Sequence, residues 1–216
     1  RKNYTNKKKI VLIEFDPEIY HDLLQEIDKH GFQPVLVNFR KTSITSLRSI
    51  RHLKKSNSLI MLAEDWLKKS QFEEINTVKA NFLNKIRNVM ENKIFLPNCV
   101  YEEIDLTVII QKKINSILVQ RLDEYLTQIL VAESIENAND VLGIITLNFS
   151  GETEKIFSRI RSDIPVILLQ HGFANYTKSI SYFDLLDDYH LIKHKIAVWG
   201  DIIKDYLIHV KAIPEN

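Results

Sequence analysis

The chain has 216 residues, 45% hydrophobic and 26% charged, with a formal net charge of +1. That is enough apolar material for one large domain or a domain with a sizeable insertion, and the near-neutral balance gives no general pull toward nucleic acid. A single cysteine, Cys99, excludes an internal disulfide and offers no metal-ligand pair; no run approaches the roughly 18 apolar residues of a membrane span, and no signal-peptide pattern opens the chain.

The basic cluster Arg1, Lys2, Lys7, Lys8 and Lys9 comes first. It reads either as a solvated lead-in to the first strand or as a patch for anionic lipid at a membrane surface. "KKIVLIEF" is a continuous apolar run, so Ile10 to Phe15 is expected as a strand covered on both faces. "DPEIYHDLLQEIDKHG" predicts a helix, with Asp16 as N-cap, Pro17 at the first helical position and Glu18 favouring the positive end of the dipole. Ile19, Tyr20, Leu23, Leu24 and Ile27 share one helical face, and Gly31 can close the helix. Pro34 to Phe39 reads as the next strand, about Ser43 to Lys55 as a helix, and Ser58 to Leu62 as a third strand.

From about Asp65 to Ala138 the period lengthens. One helical stripe holds Phe72, Ile75, Val78, Phe82, Ile86 and Val89; another holds Ile110, Ile114, Ile117, Leu122, Tyr125 and Ile129. "IFLPN" breaks the two, so Phe72 to Asn92 and Glu102 to Ala138 are expected as two main helices, packed on the sheet or on each other. Alternation then resumes with a strand from Asp140 to Leu147, the turn and helix "SGETEKIFSRIRS", a strand from Val166 to Gln170, a polar stretch, a strand from Lys195 to Trp199 and the helix "DIIKDYLIHV". About six strands separated by helices predict an α/β fold, a Rossmann-like doubly wound parallel sheet with a long helical insertion at about 65–138.

In such sheets ligands bind beyond the carboxyl ends of the strands, near the point where strand order reverses. Strand one ends in Glu14-Phe15-Asp16, the fourth in Asn148-Phe149-Ser150-Gly151-Glu152, the fifth in Gln170-His171-Gly172 and the sixth in Trp199-Gly200-Asp201. Gly172 lets the backbone turn sharply or approach a ligand. His171 can accept a proton from a hydroxyl near neutral pH, donate to a phosphate, or simply cap its strand. Ser150 and Gly151 precede a helix whose free N–H groups would bind an anion or hydroxyl, or Ser150 serves only as the N-cap. Glu152 either complements the helix dipole or acts as a base.

Two familiar motifs are absent. No G-x-G-x-x-G follows strand one, which disfavours a dinucleotide-binding domain of the usual kind, and no G-x-x-x-x-G-K-[ST] exists. Asp184, Asp187, Asp188, His190 and His194 match no metal motif in their spacing and read as a solvated loop or helix face.

"DIPVILLQHGFANY" followed by "HKIAVWGDIIKDYL" resembles the amino-terminal half of GT-B-fold transferases that build surface polysaccharides, including capsule glycosyltransferases and the CDP-glycerol glycerophosphotransferase type. In that group a strand delivering "QHG" is followed by a strand of the form "I-x-V-W-G" and a helix. The resemblance covers Asp140 to Asn216 well and strands one to three in outline, and "IPEN" is similar to the linker that leads into the second domain. It implies that the whole chain is the single, acceptor-side domain of a larger enzyme whose donor-binding domain is missing here; the opening at Arg1 without Met and the stop at "AIPEN" carry the same expectation.

The partners it implies are a nucleotide-sugar or CDP-glycerol donor and a glycan or polyol acceptor, with no metal or further cofactor. The expected place is the cytoplasm, at the inner face of the membrane. His171 matches the motif histidine and is the expected base, with Glu152 in reserve. Glu14, Ser150, Gly151, Gln170, Gly172, Trp199 and Gly200 are the expected cleft-lining residues. The competing readings are a sugar-nucleotide 2-epimerase-like domain and a non-catalytic α/β module that works through its helical insertion.

Overall fold

In a computed structural model, residues 7–91, 99–147, 151–158, 164–169, 195–198, 200–209 and 212 are described. Strands β1 (Lys9–Ile13), β2 (Gln33–Val37), β3 (Leu59–Ile60), β6 (Val141–Thr146), β7 (Val166–Leu169) and β8 (Lys195–Ala197) form one six-stranded sheet in the order β3-β2-β1-β6-β7-β8, and every pairing is parallel. The expected α/β fold with a Rossmann-like sheet is therefore present. Ile13 sits in register with Val37 on one side and Thr146 on the other.

Alternation of side chains puts two apolar layers on this sheet. Leu12 and Leu36 join Leu24, Ile27 and Leu53 of helices α1 (His21–Lys29) and α2 (Leu47–Lys55) in one cluster. Leu168, which points to the opposite face, packs with Ile203, Tyr206 and Leu207 of α7 (Asp201–His209). Strands buried on both faces are what continuous apolar runs encode. Val11, Leu12, Ile13, Val35 and Leu36 are wholly buried.

Several boundaries differ from expectation, and three have a clear local cause. β1 stops at Ile13 because Glu14 takes a left-handed conformation, φ +62°. Phe15 is nevertheless buried, edge-on to Tyr20 at 4.8 Å. The first helix begins at His21, not at Pro17: Asp16 caps a tight turn, its Oδ1 accepting from the Glu18 N–H at 2.8 Å, and Tyr20 N–H donates back to the Asp16 carbonyl at 3.0 Å. α2 begins at Leu47, after Ser46, whose hydroxyl accepts from the N–H groups of Arg48 and Ser49 while the Ser49 hydroxyl accepts from Ser46 N–H.

Both early helices close by the same device. Phe32 N–H reaches the Ile27 carbonyl and Gly31 N–H the Asp28 carbonyl; Ser58 N–H reaches Leu53 and Asn57 N–H reaches Lys54. Gly31 (φ +85°) and Asn57 (φ +47°) occupy the left-handed position this closure requires.

Residues Leu67–Val131 form a second compact unit, separate from the α/β unit Arg1–Trp66 plus Ala132–Asn216. It contains α4 (Lys69–Glu91) and most of α5 (Thr107–Glu136), joined across by an ion pair between Lys79 and Asp123. The expected helix from Glu102 does not form there. A small antiparallel hairpin, β4 (Val100–Tyr101) and β5 (Ile104–Asp105), precedes α5 instead, and its two turn residues Glu102 and Glu103 both have positive φ, +47° and +66°. That is the backbone of a two-residue hairpin turn matched to strand twist. The stripes are only partly covered: Ile75 is buried, whereas Val78, Phe82, Ile117 and Ile129 are exposed. The short α3 (Ala63–Trp66) ends the α/β unit's first half. No helix among the described residues is long and apolar enough to cross a membrane.

Candidate functional site

The strand order turns over between β1 and β6: β2 and β3 continue outward from β1 in one direction, β7 and β8 from β6 in the other. The two chain segments leaving β1 and β6 therefore part to opposite sides, and the gap beyond their carboxyl ends is where a doubly wound sheet places its ligand.

Glu14 stands at this gap. Its left-handed backbone, unfavourable for a residue with a side chain by roughly 1–2 kcal/mol, is over-determined by its neighbours. Glu14 N–H still donates to the Val37 carbonyl at 3.1 Å. Its carboxylate turns across to cap β2, Oε1 accepting from Phe39 N–H at 2.8 Å and Arg40 N–H at 3.2 Å. That diversion is why β2 ends at Val37 and not at Phe39. The Glu14 side chain is 5% exposed.

Arg40 then links three segments. Its Nε lies 3.6 Å from Glu14 Oε2, and its Nη2 donates to Glu154 Oε1 in α6 (Glu152–Ser158). Glu154 is 1% exposed, whereas half of the Arg40 side chain faces water. Two buried carboxylates thus share one half-exposed guanidinium at the switch point, Glu154 through a hydrogen bond and Glu14 through an ion pair. The ring of Phe39 lies 5.9 Å from that of Phe157, which seats the β2 end against α6.

Several buried polar atoms at this edge have no hydrogen-bond partner among the described residues. They are Asn38 Oδ1, Ser43 Oγ, Thr146 Oγ1 and Glu154 Oε2. Asn38 and Thr146 flank β1 at the ends of β2 and β6, and Asn38 Nδ2 donates to the Phe15 carbonyl at 2.9 Å. Two of the four are pure acceptors, Asn38 Oδ1 and Glu154 Oε2, and two are hydroxyls that can donate or accept. Burial pushes the Tyr20 phenol above its ordinary range, and the Asp16 carboxylate adds to the shift.

The expected site residues divide clearly. Gly151 stands at the start of α6, where a Cβ would fall within 2.6 Å of the Glu154 carboxyl carbon, so a side chain there would displace that carboxylate from its present place. Glu152 is the exposed first residue of α6. Gly200, φ +79°, makes the left-handed turn from β8 into α7, with open space where a side chain would be. Glu14 is spent on backbone N–H groups and Arg40. Ser150, Gln170, His171, Gly172 and Trp199 lie outside the described residues, as do Asp184, Asp187, Asp188, His190 and His194.

Arg40 and Glu154 escaped the sequence reading. For Arg40 a signal exists, since "NFRK" is the carboxyl end of strand two and such ends line the ligand cleft of a doubly wound sheet. Glu154 carried no such signal, since "GETE" offers two glutamates and only the docking of α6 decides which turns inward. No grouping of three or more metal-ligating side chains occurs among the described residues. No protein-family model, curated protein or solved structure matches the chain at a significant level.

Proposed function

We propose that the α/β unit is the acceptor-side domain of a GT-B-type transferase that moves a sugar or glycerol phosphate from a nucleotide donor to a hydroxyl acceptor. The observation that carries this reading is the pairing of β7 with β8. They are neighbours in register, Leu168 with Ile196 and Leu169 with Ala197, so the two strands that precede "QHG" and "VWG" in the sequence end side by side. The switch point between β1 and β6 supports the same reading, because doubly wound sheets bind their ligands beyond the carboxyl ends of the strands there.

In the proposed reaction the acceptor oxygen attacks the anomeric carbon or the phosphorus of the donor. His171 takes the hydroxyl proton, and the bond to the nucleotide leaving group breaks as the new one forms. Arg40, oriented by Glu14 and Glu154, keeps the β2 end and the Gly151 turn in place around the acceptor. Exposed Glu152 is the second carboxylate able to take the proton.

The test uses the full-length gene product with a panel of nucleotide sugars and CDP-glycerol, reading nucleotide release. His171→Ala is expected to lower turnover about 100-fold or more with unchanged thermal stability. Absence of release from every donor, or loss of stability and activity together in His171→Ala, would remove the proposal. If Glu152→Gln abolishes turnover while His171→Ala only weakens donor binding, the carboxylate is the base and the histidine serves the phosphate.

A further inference from the structure

Helices α1 and α2 meet through two imidazoles. His21 is the first residue of α1 and His52 lies in the second turn of α2; their ring centroids are 4.5 Å apart, with the planes inclined at 42°. What surrounds the two rings differs. His21 Nδ1 lies 2.9 Å from the Glu18 carbonyl, and since a carbonyl only accepts, that nitrogen donates. Its Nε2 stands 3.3 Å from Asp22 Oδ1, a second acceptor, so a doubly protonated ring suits both neighbours. His52 Nδ1 is buried and has no hydrogen-bond partner among the described residues.

Charging His52 in place fails on two counts. Both nitrogens of an imidazolium carry hydrogen, so Nδ1 would hold a buried N–H with nothing to accept it. The new charge would also face His21 across the ring contact and Arg48 and Lys55 of its own helix, with Glu18 in the turn before α1 opposing them. A polar tie lies at the same place. Glu18 Oε1 accepts from Ser46 Oγ and, at 3.4 Å, from Thr45 Oγ1, which fastens the turn leading into α1 to the N-cap of α2. The Ser46 hydrogen bond holds the Glu18 carboxyl below its ordinary range, so mild acid reaches histidine before it reaches this tie.

We propose that the His21–His52 contact is a proton-operated latch, shut while His52 is neutral and opened when His52 takes a proton from water, turns its ring outward and parts α1 from α2 at this point. Leu24, Ile27 and Leu53, which cluster with Leu12 and Leu36 of the sheet, have no charge to gain. The release is therefore local, and it answers to the range between about pH 5 and 8 in which histidine changes its charge.

The test is an NMR titration of the chain from about pH 8 to about pH 5, with both rings assigned through the backbone. In wild type an NOE between the two rings should be present at the upper end and lost as His52 gains its charge. The amide shifts of α2 should move in step while those of β6 stay in place. In His21→Gln the repelling ring is gone, so His52 should charge at a higher pH, its proton affinity raised at least about threefold. In His52→Gln the α2 shifts should no longer follow pH over this range. An NOE that survives the charging of His52, or a His52 titration unmoved by His21→Gln, would overturn the latch. So would loss of the β6 signals at the same pH, which would mean that the whole sheet unfolds. If either variant fails to fold, the wild-type NOE decides alone.

Discussion

The α/β unit and the helical unit are built from similar apolar material and bury it very differently. In the first, β1 and β2 hold side chains with no exposure at all and are covered from both faces. In the second, Leu67, Ile75, Gln128 and Val131 are the residues buried among those described, while Val78, Phe82, Val108, Ile109 and Ile117 face solvent. A parallel sheet has two faces to cover and connections that cover them. A helical pair has one seam, and the rest of its apolar surface is left for something else. The charged groups follow the same division: the α/β unit seals Glu14 and Glu154 around Arg40, whereas Glu102, Glu103, Lys112 and Lys113 stand apart in water.

The sharpest test of this contrast is a pair of truncations. Leu12→Ala, at a fully buried position, should cost about 2–5 kcal/mol in denaturant unfolding, whereas Val108→Ala should stay within about 0.5 kcal/mol. Equal losses would mean that Val108 is covered in solution. Next in size is Arg40→Ala, which takes the shared counter-ion from two buried carboxylates. Removing one partner of a fully buried pair costs about 3–5 kcal/mol; the half-exposed arginine puts this variant nearer about 2–3 kcal/mol. Lys112→Ala, which breaks no ion pair among the described residues, should leave the unfolding midpoint unmoved.

A smaller effect is expected at Gly200. Its φ of +79° makes Gly200→Ala unfavourable by about 1–2 kcal/mol, although nothing would clash with the added methyl, and far-ultraviolet melting would read it.

The smallest is a pH effect between α1 and α2. The rings of His21 and His52 stand 4.5 Å apart, and His52 Nδ1 is buried without a partner among the described residues. Burial lowers the His52 pKa below the ordinary 6.5; the charges of His21, Arg48 and Lys55 lower it further, and Glu18 opposes them. The folded state then binds the proton less readily than the unfolded chain. Stability is fully present above pH 6.5 and falls as the pH drops below it toward the lowered value. His52→Gln should flatten that part of the profile, and a slope of opposite sign would refute the assignment.

How much of this was legible in the sequence depends on how local the cause is. The six strands were, because burial on both faces writes an unbroken apolar run. The closure of α1 at Gly31 was, because a left-handed residue after a helix favours glycine. The start of α1 was not: Asp16 and Pro17 look like an N-terminus, but the carbonyl of Asp16 takes Tyr20 N–H into a turn first. The hairpin was not either, since Glu102-Glu103 is not a pair that ordinarily marks a two-residue turn.

The amino-acid sequence by itself determined the α/β alternation, the parallel sheet and the set of strand ends from which a site would be assembled, all through periodicities that repeat within one element. Only the tertiary structure decided that Glu14 would bend out of its strand to cap β2, that Glu154 and not Glu152 would turn inward, and that Arg40 would join them. Arg40 and Glu154 are 114 positions apart in the chain. Their pairing is written in no local period, because a polar contact of that range exists only once the sheet has brought its ends together and shut out the water that would otherwise serve each charge.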